Sequence, residues 1–124
     1  MKLYLHLVST TCRPIMLFAM DEGLALDQEI VDILSGAQYQ PPFSTINPNG
    51  FVPVLEDGDF RLTESSAILK YLADATGSAA YPTDPRARAR VHETMDWFNT
   101  NLYRTFGYGP VSYTHLTLPT ILLV

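Results

Sequence analysis

The hydrophobic period changes twice between residues 3 and 33, and that change most narrows the folds open to this chain. Leu3, Leu5 and Leu7 alternate with Tyr4, His6 and Val8, a period of two that predicts a strand over 3–8. Ser9-Thr10-Thr11 breaks the pattern. Pro14 suits a first helical turn, where its missing N–H is an orphan anyway, and Ile15 to Met20 fill a helix that Gly23 ends. Ile30 and Val31 centre a second strand over 27–33. Strand, helix and strand in so short a stretch demand a parallel pair joined by a right-handed crossover.

The rest of the first half adds an antiparallel part. Pro41-Pro42 forbids a continuous helix across 35–48 and leaves a short helix or an irregular turn. Residues 51–55 read as a strand, Asp57-Gly58 as a two-residue hairpin turn and 59–63 as the returning strand. A helix over 65–75 turns Ile68, Leu69 and Leu72 inward and ends at Gly77. The order βαβ-α-ββα gives an α/β domain over 1–77 with a mixed four-stranded sheet.

A linker over 78–85 follows, with Pro82 and Pro85 as breakers. Asp84 suits an N-cap and Pro85 the first helical position. Ala87, Val91, Met95, Phe98 and Leu102 then form one apolar stripe on a helix over 86–109. One helix cannot bury its own stripe, so this segment is expected to be the first helix of a truncated all-α domain. The native gene is expected to continue with roughly 90 further helical residues. No charge occurs from Phe106 to Val124, and the Thr- and Leu-rich run over 110–124 is expected to be a non-native tail resembling translated adapter sequence. A genuine β-prone tail is the alternative.

Composition removes several classes of function. Hydrophobic residues make up 47% and charged residues 17%, which excludes a disordered polar chain. A net charge of −5 argues against nucleic acid or an anionic membrane as partner, so an anionic ligand must be held by local devices. The single cysteine, Cys12, excludes an internal disulfide and a cysteine-based zinc site. His6, His92 and His115 lack ligand spacing, so no metal is expected. His6 and Arg13-Pro14 spoil a signal-peptide reading, and the apolar end is too short to span a membrane. A cytoplasmic location is expected.

Three places could carry chemistry. Ser9-Thr10-Thr11-Cys12-Arg13-Pro14 joins the first strand to the first helix, where orphan N–H groups and a partial positive charge favour a thiolate. With Ser9 and Cys12 at the ends of the four-residue spacing of a dithiol site, no disulfide can form there. Ser9 could instead donate to a thiolate brought by a substrate, or serve only as an N-cap. Val52-Pro53 enters a strand, where a cis peptide would leave the Val52 backbone free to pair with an extended peptide; a plain edge-strand proline is the alternative. Thr63-Glu64-Ser65-Ser66 opens a helix, so Ser65 could bind a carboxylate and Glu64 an ammonium group, or the segment could be an ordinary cap. Cys12 reads as a buried or half-buried thiol of low reactivity, Tyr4 as core, and Trp97 and Phe98 as packing residues.

In order and spacing these places resemble the cytosolic glutathione transferases, most closely the theta-like class and its bacterial relatives. The matching residues are Leu3-Tyr4-Leu5, Ser9 with Cys12-Arg13, Asn47-Pro48, Val52-Pro53, Asp57-Gly58-Asp59-Phe60, Leu62-Thr63-Glu64-Ser65 with Ala67-Ile68, and Arg86-Ala87-Arg88-Ala89-Arg90-Val91. The resemblance covers roughly residues 2–109. It implies a thioredoxin-like first domain and an all-helical second one. It also implies that Ser9 hydrogen-bonds the glutathione sulfur, that Val52 pairs with the cysteinyl backbone beside a cis Pro53, and that Glu64 and Ser65 hold the γ-glutamyl ammonium and carboxylate. Gln38 stands where the theta class typically has a histidine for the glycyl carboxylate, Asn49-Gly50-Phe51 replaces a basic pair, and His92 replaces an acid that often reaches across the dimer.

The implied reaction is attack of glutathione thiolate on a small apolar electrophile, in detoxification, by a protein that is a homodimer when complete. Glutathione is then a co-substrate, and no metal is required. A non-catalytic binding or assembly module is the alternative. A cysteine-based glutathione-dependent reductase is disfavoured by the serine at position 9.

Overall fold

The computed structural model describes residues 1–107, so the expected tail over 110–124 lies outside the described residues. The chain divides into two compact units, Met1–Tyr81 and Pro82–Val124.

In the first unit a four-stranded sheet has the order β2-β1-β3-β4, built from β1 (Lys2–Leu5), β2 (Asp27–Ile30), β3 (Val54–Asp57) and β4 (Phe60–Thr63). β1 and β2 run parallel, while β3 is antiparallel to both β1 and β4. Between the strands lie α1 (Arg13–Asp21), a single 3-10 turn (Ala37–Tyr39) and α2 (Phe43–Ile46), and α3 (Ser65–Thr76) follows β4. This is the mixed sheet and helix order that the sequence predicts.

The pleat of β1 explains the core. Leu3 and Leu5 point to one face, where Cys12 and Ile15 at the start of α1, Leu55, and Ile68 and Leu72 of α3 are completely buried with them. Tyr4 points to the other face and packs with Val31, Phe43 and Val54, its ring 5.9 Å from that of Phe43. One strand thus serves two layers, since successive side chains leave a strand on opposite sides. Tyr4 is a core residue, as expected.

Several boundaries differ from the expected ones. β1 stops at Leu5, and Leu7 and Val8 are exposed. Their alternation continues past the point where β3 can pair, because Val54, opposite Tyr4, is the first residue of that strand. β3 begins at Val54 rather than at 51, β2 ends at Ile30 rather than at 33, and the hairpin loop is Gly58-Asp59 because Asp57 still pairs with Phe60. The region after β2 holds only the 3-10 turn and one helical turn, with a cis Pro41-Pro42 peptide between them.

In the second unit, α4 (Pro85–Trp97) opens on Asp84, whose Oδ2 accepts the Ala87 N–H at 2.8 Å. The helix then continues in wider π-type turns over Phe98–Gly107. No residue of α4 is buried, and Trp97 and Phe98, expected to pack, are 53% and 40% exposed. Asp84→Ala is expected to cost about 1 kcal/mol through the lost cap, read as a lower thermal midpoint or earlier loss of helical circular dichroism. No helix among the described residues is long and apolar enough to cross a membrane.

Candidate functional site

Strand directions bring the three predicted places to one end of the sheet. β1 is parallel to β2 and antiparallel to β3, and β3 is antiparallel to β4. The C-terminal ends of β1, β2 and β4 therefore share an end with the start of β3. Tyr4 is paired with Val54, and Val54 with Thr63. The Val52-Pro53 peptide immediately precedes the first paired residue of β3, and Glu64-Ser65 immediately follows the last paired residue of β4, so both lie at this end. Ser9 follows β1 by four residues and Gln38 follows β2 by eight.

The loop after β1 is shaped by its own hydrogen bonds. The Val8 N–H donates to His6 Nδ1 at 3.2 Å, and the Ser9 N–H donates to the His6 carbonyl at 3.0 Å. Ser9 is half-buried and is not the N-cap of α1, a position held by Cys12. The Ser9 hydroxyl accepts the Cys12 N–H at 3.4 Å and lies 3.0 Å from Thr11 Oγ1. Thr11 Oγ1 in turn donates to the Val52 carbonyl at 3.2 Å. The first two predicted places thus meet through a residue that sequence reasoning passed over as part of a polar break.

The Val52-Pro53 peptide is cis, and Pro53 is buried. The chain reaches it through a loop fixed by Asn47, which is 5% exposed. Asn47 Nδ2 donates to the Phe51 carbonyl at 2.9 Å, and Asn47 Oδ1 accepts the Asn49 N–H at 3.2 Å. Glycine is favoured at position 50 in this loop. Its φ is +70°, and a Cβ there would sit 2.7 Å from the Tyr39 ring and 3.6 Å from the Gln38 carbonyl oxygen. That close approach seats the Ala37–Tyr39 turn, and with it Gln38, beside the segment leading into Val52. Gln38 Oε1 is buried without a hydrogen-bond partner among the described residues. Its amide also carries an NH2, the half of the group that a carboxylate would accept from.

Glu64 is exposed and has φ 69° and ψ 116°, the one non-glycine residue with positive φ among the described residues. Such a conformation costs about 1–3 kcal/mol and collects at binding sites. Its carbonyl accepts the Ile68 N–H at 2.9 Å, so Glu64 opens α3 while its side chain makes no cap. Ser65 is the first helical residue, where N–H groups lack partners within the helix and the dipole favours an anion. The site end of the sheet thus offers a hydroxyl pair, a peptide edge at Val52, a carboxylate, and a helix start suited to a carboxylate ligand.

Cys12 takes no direct part. It is fully buried, and desolvation raises its thiol above the ordinary value despite opposing hydrogen bonds from Ser9, the His6 backbone and Thr11. The folded state therefore holds this proton more tightly than the unfolded chain. Stability is expected to fall as pH rises through the ordinary thiol value of 9.0 toward the raised folded one. Denaturant midpoints on either side of that pH, for wild type and Cys12→Ala, check this, and only the wild type should show the added loss.

The family described as glutathione S-transferase, N-terminal domain, matches residues 1–74. Glutathione S-transferase theta-2 of Mus musculus is 44% identical over 109 residues, covering 86% of this chain and 45% of that protein. Human glutathione S-transferase theta-1 is 42% identical over 107 residues, covering 85% and 45%. The crystal structure of human glutathione transferase theta-2 in complex with glutathione and an unknown ligand superposes with a TM-score of 0.75 at 44% identity, covering 79% of this chain and 41% of that one. A Bombyx mori glutathione transferase superposes at 0.82 with 31% identity, covering 92% and 55%. The chain spans about half the length, or less, of the proteins it matches.

Proposed function

Because the chain belongs to the glutathione S-transferase family, we propose that it binds glutathione and activates its thiolate for attack on an electrophilic carbon of a small apolar molecule. Ser9 donates its hydroxyl proton to the sulfur, and this charge-assisted hydrogen bond favours the thiolate over the thiol. Val52 pairs with the cysteinyl backbone beside Pro53. Glu64 takes the γ-glutamyl ammonium, and Ser65 with the first turn of α3 takes the γ-glutamyl carboxylate. Gln38 donates its amide to the glycyl carboxylate. The complete protein is a cytoplasmic homodimer, with glutathione as co-substrate and no metal.

The observation that carries this reading is the convergence at one sheet end of Ser9, the Val52 carbonyl and the Glu64-Ser65 helix start. Local donors at that end explain how a chain of net charge −5 holds a ligand with two carboxylates. The test is retention of the full-length protein on glutathione-agarose with elution by free glutathione, followed by turnover of a general electrophile. Retention with turnover is expected. Retention without turnover would indicate a binding module, and no retention would overturn the reading.

A further inference from the structure

We propose that Thr11 is a positioning residue that switches the direction of the Ser9 hydroxyl, so that occupation of the Val52 carbonyl by a ligand's peptide N–H releases the Ser9 proton toward the ligand's sulfur. The proposal rests on the glutathione reading above and adds a residue to it.

A threonine hydroxyl has one proton to give. Thr11 gives it to the Val52 carbonyl, which can only accept. Of the two hydroxyls 3.0 Å apart, Ser9 must therefore be the donor and Thr11 the acceptor. The Cys12 N–H meanwhile donates to Ser9 and asks for no proton in return. Without ligand, the Ser9 proton is thus engaged within the loop, by Thr11 and by the neighbouring Cys12 sulfur.

A carbonyl oxygen has two lone pairs, so a cysteinyl N–H arriving at Val52 shares that acceptor with Thr11 and weakens the bond Thr11 makes to it. Thr11 then turns its proton to Ser9 Oγ, and Ser9 turns its own to the thiolate. No bond is made or broken; two hydroxyls rotate about their C–O bonds. In the new arrangement Ser9 accepts from Thr11 while donating to sulfur, and chained hydrogen bonds of this kind strengthen one another. Backbone recognition at one place is thereby coupled to thiolate stabilisation at another. Thr11 is half-buried and close to both groups, which a residue serving only as loop filler need not be.

The experiment is ultraviolet thiolate absorbance of the glutathione complex against pH in the full-length protein. It compares wild type, Thr11→Val, Thr11→Ala, Thr11→Ser, Ser9→Ala and the Ser9→Ala/Thr11→Val double variant. Thr11→Val and Thr11→Ala are expected to raise the bound thiol's apparent pKa by about half a unit, with kcat at neutral pH falling about threefold. Thr11→Ser, which keeps the hydroxyl, restores the titration. In the Ser9→Ala background Thr11→Val shifts nothing further, because Thr11 acts only through Ser9.

A shift for Ser9→Ala with none for Thr11→Val or Thr11→Ala overturns the switch and leaves the glutathione reading standing. An equal Thr11→Val shift with and without Ser9 also overturns it, since the threonine would then act independently. Loss of glutathione binding by the wild type overturns both.

Discussion

Replacing Ser9 with alanine is expected to raise the apparent pKa of bound glutathione's thiol by about one to two units, because one charge-assisted hydrogen bond is worth roughly 1.5–3 kcal/mol. Turnover near neutral pH should fall by a similar factor, about 10- to 100-fold, while glutathione affinity changes less. The structure makes this substitution a clean one. The Ser9 hydroxyl does not cap α1, and the only backbone donor it satisfies among the described residues is the Cys12 N–H at a long 3.4 Å. Folding should therefore survive, and the loss should appear in kcat. Ser9→Cys should instead open mixed-disulfide exchange with glutathione. Thiolate absorbance against pH decides the matter. Superimposable titrations of wild type and Ser9→Ala would show that activation comes from the helix start or from another residue.

Glu64 should show the opposite division between binding and chemistry. Glu64→Ala removes the proposed partner of the γ-glutamyl ammonium, and loss of a hydrogen bond to a charged group, roughly 1.5–3 kcal/mol, corresponds to about 10- to 150-fold weaker glutathione binding. The pKa of whatever thiol still binds should move little. The backbone of Glu64 gives a second handle. With φ at 69°, alanine inherits the unfavourable conformation, whereas glycine adopts it freely. Glu64→Gly is expected to be more stable than Glu64→Ala by about 1 kcal/mol while binding glutathione equally poorly. Calorimetric affinity and denaturant midpoints for the two variants separate these effects. Unchanged affinity in both would remove Glu64 from the site.

The sequence carried the element order because each element had a local cause. Pro14 and Gly23 bracket α1, Gly77 with φ 66° closes α3, and Asp84 caps α4 through a bond that its spacing to Ala87 foretells. Strand ends were less legible, because a strand ends where its partner does. Leu7 and Val8 continue the alternation of β1 but have no neighbour to bury them. The same held within the site. Ser9, Val52 and Glu64 were visible as residues whose type suits a local backbone device. Thr11 was not, because its importance lies in a contact across 41 positions in sequence. The adjacent hydroxyls of Ser9 and Thr11 were the only written hint. Asn47 was visible as a motif residue, but its work in tying Phe51 and Asn49 depends on a loop whose path no local pattern states. The widening of the helix after Trp97 into π-type turns had no counterpart in the apolar stripe.

Every group assigned here to glutathione lies within the compact unit Met1–Tyr81, on segments gathered at one end of its own sheet. That enclosure bears on how such a protein can change over generations. On the proposed assignment, sequence drift beyond Tyr81 leaves these groups untouched. On the same assignment, substitutions of Ser9, Thr11, Asn47 and Glu64 have less freedom, because the side chain of each bonds a neighbour in the loops or the ligand, whereas Val52 takes part through its backbone. Selection is therefore expected to fall unevenly along the chain, slow at one end of a single sheet and permissive elsewhere.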